Sequence, residues 1–367
     1  MSTAAVSSLG TATRDGLLYQ TGFGNDFESE CIEGALPKGR NNPRKVPFNL
    51  YAEQLSGTAF TAPRYQNRRT WLYRIQPSVA NGTAEDDNTS HDDELNPEYF
   101  GGANPTKDLI LTPRPLRWKP KPGPSPDKPC DFVTGMSLMM SGGSPTDKNG
   151  LSIYMYCFNR SMSDTKSHMY NADGDFLLVP QQASLLIITE LGKLVVHPRD
   201  ICVIPRGIVF SVHFYKQPED RPVFARGYVL EIYRGHFQLP ELGPIGANGL
   251  ANSRDFYYPT AWCVQSPEEY EAQNGSTMVR KFGGQIFRKK LKHSPYNVVS
   301  WHGNYLPFLY SLDNFCAVNS VTYDHLDPSI YTVLTCAGSE PGTALADFVI
   351  FPPRIMATDS NTLRPPW

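Results

Sequence analysis

The sequence predicts a mainly β protein, with short antiparallel strands assembled into a sandwich or jelly-roll barrel. Short apolar runs recur at 185–189, 193–197, 201–204, 208–214 and 224–233. Turn residues separate them: Leu191-Gly192, Pro198-Arg199-Asp200, Pro205-Arg206-Gly207 and Gln217-Pro218-Glu219. Regular short runs with such punctuation favour antiparallel sheets. The 29 Gly and 32 Pro, about one residue in six, exceed the usual proportion of roughly 12%. They signal turns rather than disorder, because apolar and aromatic residues are spread along most of the chain.

Along the chain, residues 1–16 read as a loose tail. The stretch 19–44 is dense in Gly, Asn and Pro with aromatics between, either an ordered arm or a coil. Residues 79–107 are acidic, polar and almost free of aliphatic side chains, and read as a surface insertion with a solvated acidic face. The strand signal is strongest from Asp131 to Gly235. Ser266-Pro267-Glu268-Glu269 is a legible helix start, with an N-cap Ser, Pro at N1 and Glu at N3. A second β-rich block follows at 297–301, 315–323, 331–335 and 346–351. The Leu312-Asp313-Asn314 turn divides the chain into a domain over 1–312 and a second one beginning at 313.

A chain of 367 residues can bury a large core. With 34 Lys and Arg against 36 Asp and Glu, the net charge is −2, so no basic field attracts nucleic acid or an anionic membrane. The seven cysteines, Cys31, Cys130, Cys157, Cys202, Cys263, Cys316 and Cys336, form no C-x-x-C pair and read as reduced, mostly buried thiols of a cytoplasmic protein. Neither a secretory signal nor the roughly 18 consecutive apolar residues of a membrane span is visible. The sequons at Asn81, Asn88, Asn159 and Asn274 then read as chance.

P-loop, H-E-x-x-H, G-x-S-x-G and complete G-x-G-x-x-G motifs are all absent. Gly22-Phe23-Gly24 alone reads as a turn. Pro205-Arg206-Gly207 resembles the turn that precedes a metal-binding His in cupins, but Ile208, Val209 and Phe210 follow it and cannot ligate a metal. The first barrel is therefore expected to be a metal-free cupin-like copy. A non-haem iron site needs two His and one carboxylate on one face of the metal. His213 and Glu219 have a compatible His-x5-Glu spacing, although Pro218 breaks any strand between them and one such coincidence is expected. His325, in Asp324-His325-Leu326-Asp327-Pro328, has neighbouring carboxylates that can fix its tautomer and raise its basicity for proton transfer. A turn-capping role fits the same local sequence. His302, after Trp301, fits an aromatic-flanked structural role. Arg226 and Glu231 share an expected strand at an odd spacing, so they face opposite ways.

Longer stretches carry a resemblance. YQTGFGNDFESECIEGALPKGRNNP (19–43), YAEQLSGTAFTAPR (51–64), NRRTWLYRIQPS (67–78), DGDFLLVPQQ (173–182) and SPYNVVSWHGNYLPFLY (294–310) are closely similar to the homogentisate 1,2-dioxygenase family. So are RGYVLEIYRGHFQLPELGPIGANGLANSRDF (226–256), VTYDHLDPSIYTVLT (321–335) and ADFVIFPPR (346–354). The resemblance covers nearly everything from about residue 17 onward. It implies a cupin-like β-sandwich, Fe(II), assembly into trimers and hexamers, and opening of the homogentisate ring by O₂ to maleylacetoacetate in tyrosine and phenylalanine catabolism. It also implies that His325, in the family's D-H-x-D-P-S motif, is the acid/base residue beside the substrate.

The same resemblance places the family's iron ligands after Arg364-Pro365-Pro366, whereas this sequence ends at Trp367. Ile355 and Leu363 stand where the family usually has Trp and Phe. The expectation is an incomplete C-terminal cupin domain with an exposed sheet edge, no metal ligand in the chain, and no turnover by it alone. An alternative is a non-catalytic bicupin scaffold or regulatory subunit that co-assembles with full-length protomers.

Overall fold

A computed structural model describes residues 5–8, 10–38, 46–81, 98–114, 118–119, 121–216, 224–264, 275–317 and 330–351. The helix start at 266–269 lies outside them. So do Glu219, His325 and residues 352–367. The described residues divide into two units, one of 1–234 with 254–313, the other of 235–253 with 314–367.

Two large sheets build the first unit. In the ten-stranded sheet the order is Ala5–Ser8, Thr11–Arg14, Leu17–Thr21, Phe256–Pro259, Phe308–Ser311, Asp200–Ile204, Asp175–Gln182, Ala225–Ile232, Asn149–Phe158 and Met136–Ser144. The seven-stranded sheet runs Gly192–Val196, Leu185–Thr189, Phe210–Phe214, Ser167–Asn171, Thr277–Phe282, Gln285–Lys290 and Glu98–Tyr99. Ser167–Asn171 and Thr277–Phe282 pair in parallel, with His168 opposite Met278 and Tyr170 opposite Arg280. Antiparallel pairing joins the other neighbours of both sheets.

Strict alternation explains the placement. Along Asn149–Phe158 every second side chain is buried, as expected of a strand with one face on a core. Aromatic rings fill the space between the sheets. Phe176 of the larger sheet meets Phe210 of the smaller at 6.4 Å, and Phe132 touches Phe158 and Phe210 at 6.1 and 6.2 Å. The expectation of a mainly β sandwich is met. A four-stranded sheet, Phe27–Glu30, Val298–Gly303, Arg69–Arg74 and Tyr51–Ser56, completes the unit.

Two segments depart from the sequence reading. Residues 1–16 are not a loose tail throughout: Thr11–Arg14 is a strand paired with Leu17–Thr21, and Ala12 is buried. Asp15 and Gly16 join the two with φ of 55° and 80°, the left-handed pair that a two-residue hairpin turn demands. Arg14 then reaches the buried Asp200 at 2.6 Å. The polar segment 79–107 is also not entirely a surface insertion. Tyr99 pairs with Gln285, Phe100 is buried against Tyr154 and Phe176, and Asn104 is buried. Residues 82–97 lie outside the described ones. The 19–44 stretch is an ordered arm as far as described: Tyr19 is fully buried and its hydroxyl accepts the Val195 amide at 3.0 Å.

The second unit contains a hairpin, Tyr331–Ala337 with Ala344–Ile350. Residues 235–253 belong to it rather than to the unit before the Leu312 turn. Gln238 and Thr335 exchange both backbone hydrogen bonds at 2.9 Å, which ties that loop to the hairpin. Phe315 packs edge-on against Tyr331 at 5.8 Å. The expected strand over 315–323 is absent at 315–317, and 318–323 lie outside the described residues.

Candidate functional site

The cupin-type turn is present. Gly207 has φ +84°, its amide donates to the Asn171 carbonyl at 2.8 Å, and the Arg206 amide donates to Asp175 at 3.0 Å. Ile208 and Phe210, which follow, are fully buried apolar side chains. His213 sits on Phe210–Phe214, and Glu219 lies outside the described residues. Trp301 is buried with its indole N–H on the Leu191 carbonyl at 2.8 Å. His302 shares a 3.1 Å hydrogen bond with Tyr73, and their rings stack at 5.9 Å. Burial lowers the His302 pKa. Both are held structurally.

Arg226 and Glu231 alternate to opposite faces of Ala225–Ile232, as their spacing requires. Glu231 enters a buried ionic cluster that the sequence did not reveal. Lys281, fully buried, donates to Asp173 at 2.6 Å and to Glu231 at 2.8 Å. Glu231 also accepts from Asn171 at 2.6 Å and Tyr154 at 3.0 Å. Asp173 accepts from the amides of Gly283 and Gly284 at 2.7 and 2.8 Å. Burial works to raise the Asp173 pKa, yet the ammonium and the two amides hold it below the usual value. Burial likewise opposes the charge on Lys281, and the two carboxylates outweigh it, raising its pKa. At Glu231 burial prevails and the pKa is raised. A second charged cluster, Arg74 with Glu53 and Glu190 at 3.1 and 3.2 Å, borders a cavity of about 750 Å³. Leu72, Tyr170 and Met278 also line it.

A third constellation is a directed hydrogen-bond chain. The Tyr296 hydroxyl donates to Ser211 Oγ at 2.6 Å. It can then accept from His168 Nδ1–H at 3.1 Å, while Ser211 donates to His213 Nε2 at 2.7 Å. Both imidazoles are neutral in that arrangement. Burial pushes each pKa down to about 4, with the neighbouring His213 adding to the effect at His168. In the unfolded chain both take up a proton near pH 6.5. Their stabilisation is thus fully present above pH 6.5 and is lost as pH falls through about 4. Urea unfolding should show stability dropping by about 1.4 kcal/mol per pH unit for each histidine in that window. The double variant His168→Gln/His213→Gln should lose most of this slope. An unchanged slope would remove these residues from the account.

Among the described residues no group of three or more His, Cys, Asp or Glu side chains is arranged to hold a metal ion. These residues therefore do not themselves provide a two-His, one-carboxylate iron site. No helix among them is long and apolar enough to cross a membrane.

The sequence matches a family described as "Homogentisate 1,2-dioxygenase N-terminal" over residues 18–312 and "Homogentisate 1,2-dioxygenase C-terminal" over 313–367. The chain belongs to the homogentisate 1,2-dioxygenase family. Relatives named homogentisate 1,2-dioxygenase include one from Oryza sativa subsp. japonica, 49% identical over 95% of this chain and 71% of its own. The one from Dictyostelium discoideum is 50% identical over 95% of this chain and 74% of its own. The Homo sapiens relative is 48% identical over 96% of this chain and 74% of its own. The family is one of ring-cleaving dioxygenases. Among solved structures, oxalate decarboxylase from Bacillus subtilis aligns at 9% identity over 47% of this chain and 70% of its own, with a TM-score of 0.17.

Proposed function

We propose that these 367 residues are the scaffold of a cytoplasmic Fe(II)-dependent oxygenase. In this reading it opens the homogentisate ring with O₂ to maleylacetoacetate in tyrosine and phenylalanine catabolism. The observation that carries this reading is identity of 48–50% with the Oryza, Dictyostelium and Homo relatives of that name. His325 is assigned the acid/base role, accepting a proton from a substrate hydroxyl or hydrogen-bonding to it. It lies outside the described residues, and its assignment rests on the D-H-x-D-P-S motif. Iron supplies the Lewis acidity for substrate and O₂. We assign it no ligand set among the described residues, and assembly to the trimers and hexamers of the family.

Residues 1–367 by themselves are accordingly expected to hold no stoichiometric iron and to leave homogentisate unconsumed. Elemental analysis of the purified protein, together with oxygen uptake on homogentisate, checks this. One iron per chain with turnover would overturn it. The scaffold alternative predicts that the same protein joins a full-length relative in one oligomer, and separate elution of the two on size exclusion rejects it.

A further inference from the structure

We propose that Cys31 and Cys263 form a modification site, a dithiol pair that hydrogen peroxide closes into a disulfide. All seven cysteines are free thiols, and Cys31 and Cys263 stand far apart in sequence. In the fold their side chains are in hydrogen-bonding contact. They share a small apolar cluster with Ala35, Val299 and Leu50.

Both backbones are fixed around this contact. The Cys31 amide donates to the Val299 carbonyl at 2.8 Å. On the other side, the Ala261 amide donates to Ser29 Oγ at 2.8 Å and the Val264 amide to the Tyr296 carbonyl at 3.1 Å. The two sulfurs are thus presented by separate, anchored segments that meet in one cluster. Cys130 and Cys157 are the nearest comparison. Their thiols are turned to backbone oxygens instead, Cys130 to the Cys157 carbonyl at 3.3 Å and Cys157 to the Pro122 carbonyl at 3.8 Å.

Exposure sets the order of events. Cys31 is half-buried while Cys263 is 1% exposed, so peroxide meets Cys31 first. The Cys31 thiolate attacks one peroxide oxygen, the O–O bond breaks, and sulfenic acid forms with release of hydroxide, which takes up a proton as water. Cys263 sulfur then attacks the sulfenic sulfur, the S–O bond breaks, and a second water leaves. Overall, two thiols and one H₂O₂ give one disulfide and two waters; the sulfurs lose two electrons and the peroxide gains them. Contact with Cys263 and burial both hold the Cys31 thiol well above the usual range. The nucleophile is the thiolate, so closure is slow at neutral pH and accelerates as pH rises.

The test is peroxide treatment of the full chain at pH 7, 8 and 9, alkylation, and peptide mapping without reductant. The expected result is one cross-linked peptide pair containing Cys31 and Cys263, abolished by dithiothreitol, with no other cysteine in a disulfide. Its rate of formation should rise about tenfold per pH unit. In Cys263→Ser, dimedone should trap Cys31 as sulfenic acid, and without dimedone Cys31 should proceed to sulfinic acid. Separate alkylation of Cys31 and Cys263 after treatment, or sulfinic acid at Cys31 in the unaltered chain, would overturn the proposal.

Discussion

Lys281→Met should destabilise the first unit by about 3–5 kcal/mol, the cost of leaving buried carboxylates without their counter-charge. The ammonium has no solvent to replace it, since Lys281 is fully buried and Asp173 and Glu231 are 1% exposed or less. It joins three strands, through Glu231 on Ala225–Ile232 and Lys281 on Thr277–Phe282, with Asp173 just before Asp175–Gln182. Glu231→Gln should cost less, about 1–2 kcal/mol, because Lys281 keeps Asp173 and the amide retains a hydrogen-bonding oxygen. The triple variant Lys281→Met/Asp173→Asn/Glu231→Gln removes all three charges and should recover much of the loss. Urea midpoints decide between charge and packing. If the single and triple variants unfold together, the methionine's fit governs and the electrostatic argument fails. Asp173 adds a pH signature, since its folded pKa lies below the unfolded value of 3.8. Its stabilisation is present above pH 3.8 and is lost as pH falls through the folded pKa, a loss absent in Asp173→Asn.

That cluster marks where local sequence ceases to inform. Strands such as Leu185–Thr189 and Asp200–Ile204 were legible because apolar runs and turn residues are neighbours in the chain. Arg226 and Glu231 were correctly placed on opposite faces by counting alone. Lys281, by contrast, stands beside Arg280 with nothing local to mark it as buried, and its partners are 108 and 50 residues away. The His168–Tyr296–Ser211–His213 chain draws on three distant segments. The Asp15-Gly16 hairpin carried an unused local signal, a left-handed dipeptide between two short runs. His325 became a candidate acid/base residue through its motif; its immediate surroundings by themselves favoured a turn cap.

His325→Gln therefore separates two readings of one residue. It should be made in a protein that joins these residues to the family's iron-ligand segment, where turnover can be measured. An acid/base role predicts a fall in kcat of about 10²–10⁴, the usual contribution of a positioned proton-transfer group. The iron content should be unchanged, because the imidazole is not assigned as a ligand. The acidic limb of the kcat/KM profile should flatten, since the group whose protonation produces it is gone. A turn-capping histidine predicts the reverse: kcat and the pH profile stay in place, while the melting temperature falls by the few degrees that a lost hydrogen bond of about 1 kcal/mol implies. Oxygen uptake on homogentisate across pH, with a melting curve on the same preparation, measures both. Intact turnover with an unaltered acidic limb would strip His325 of its assigned chemistry and leave it the turn-capping reading.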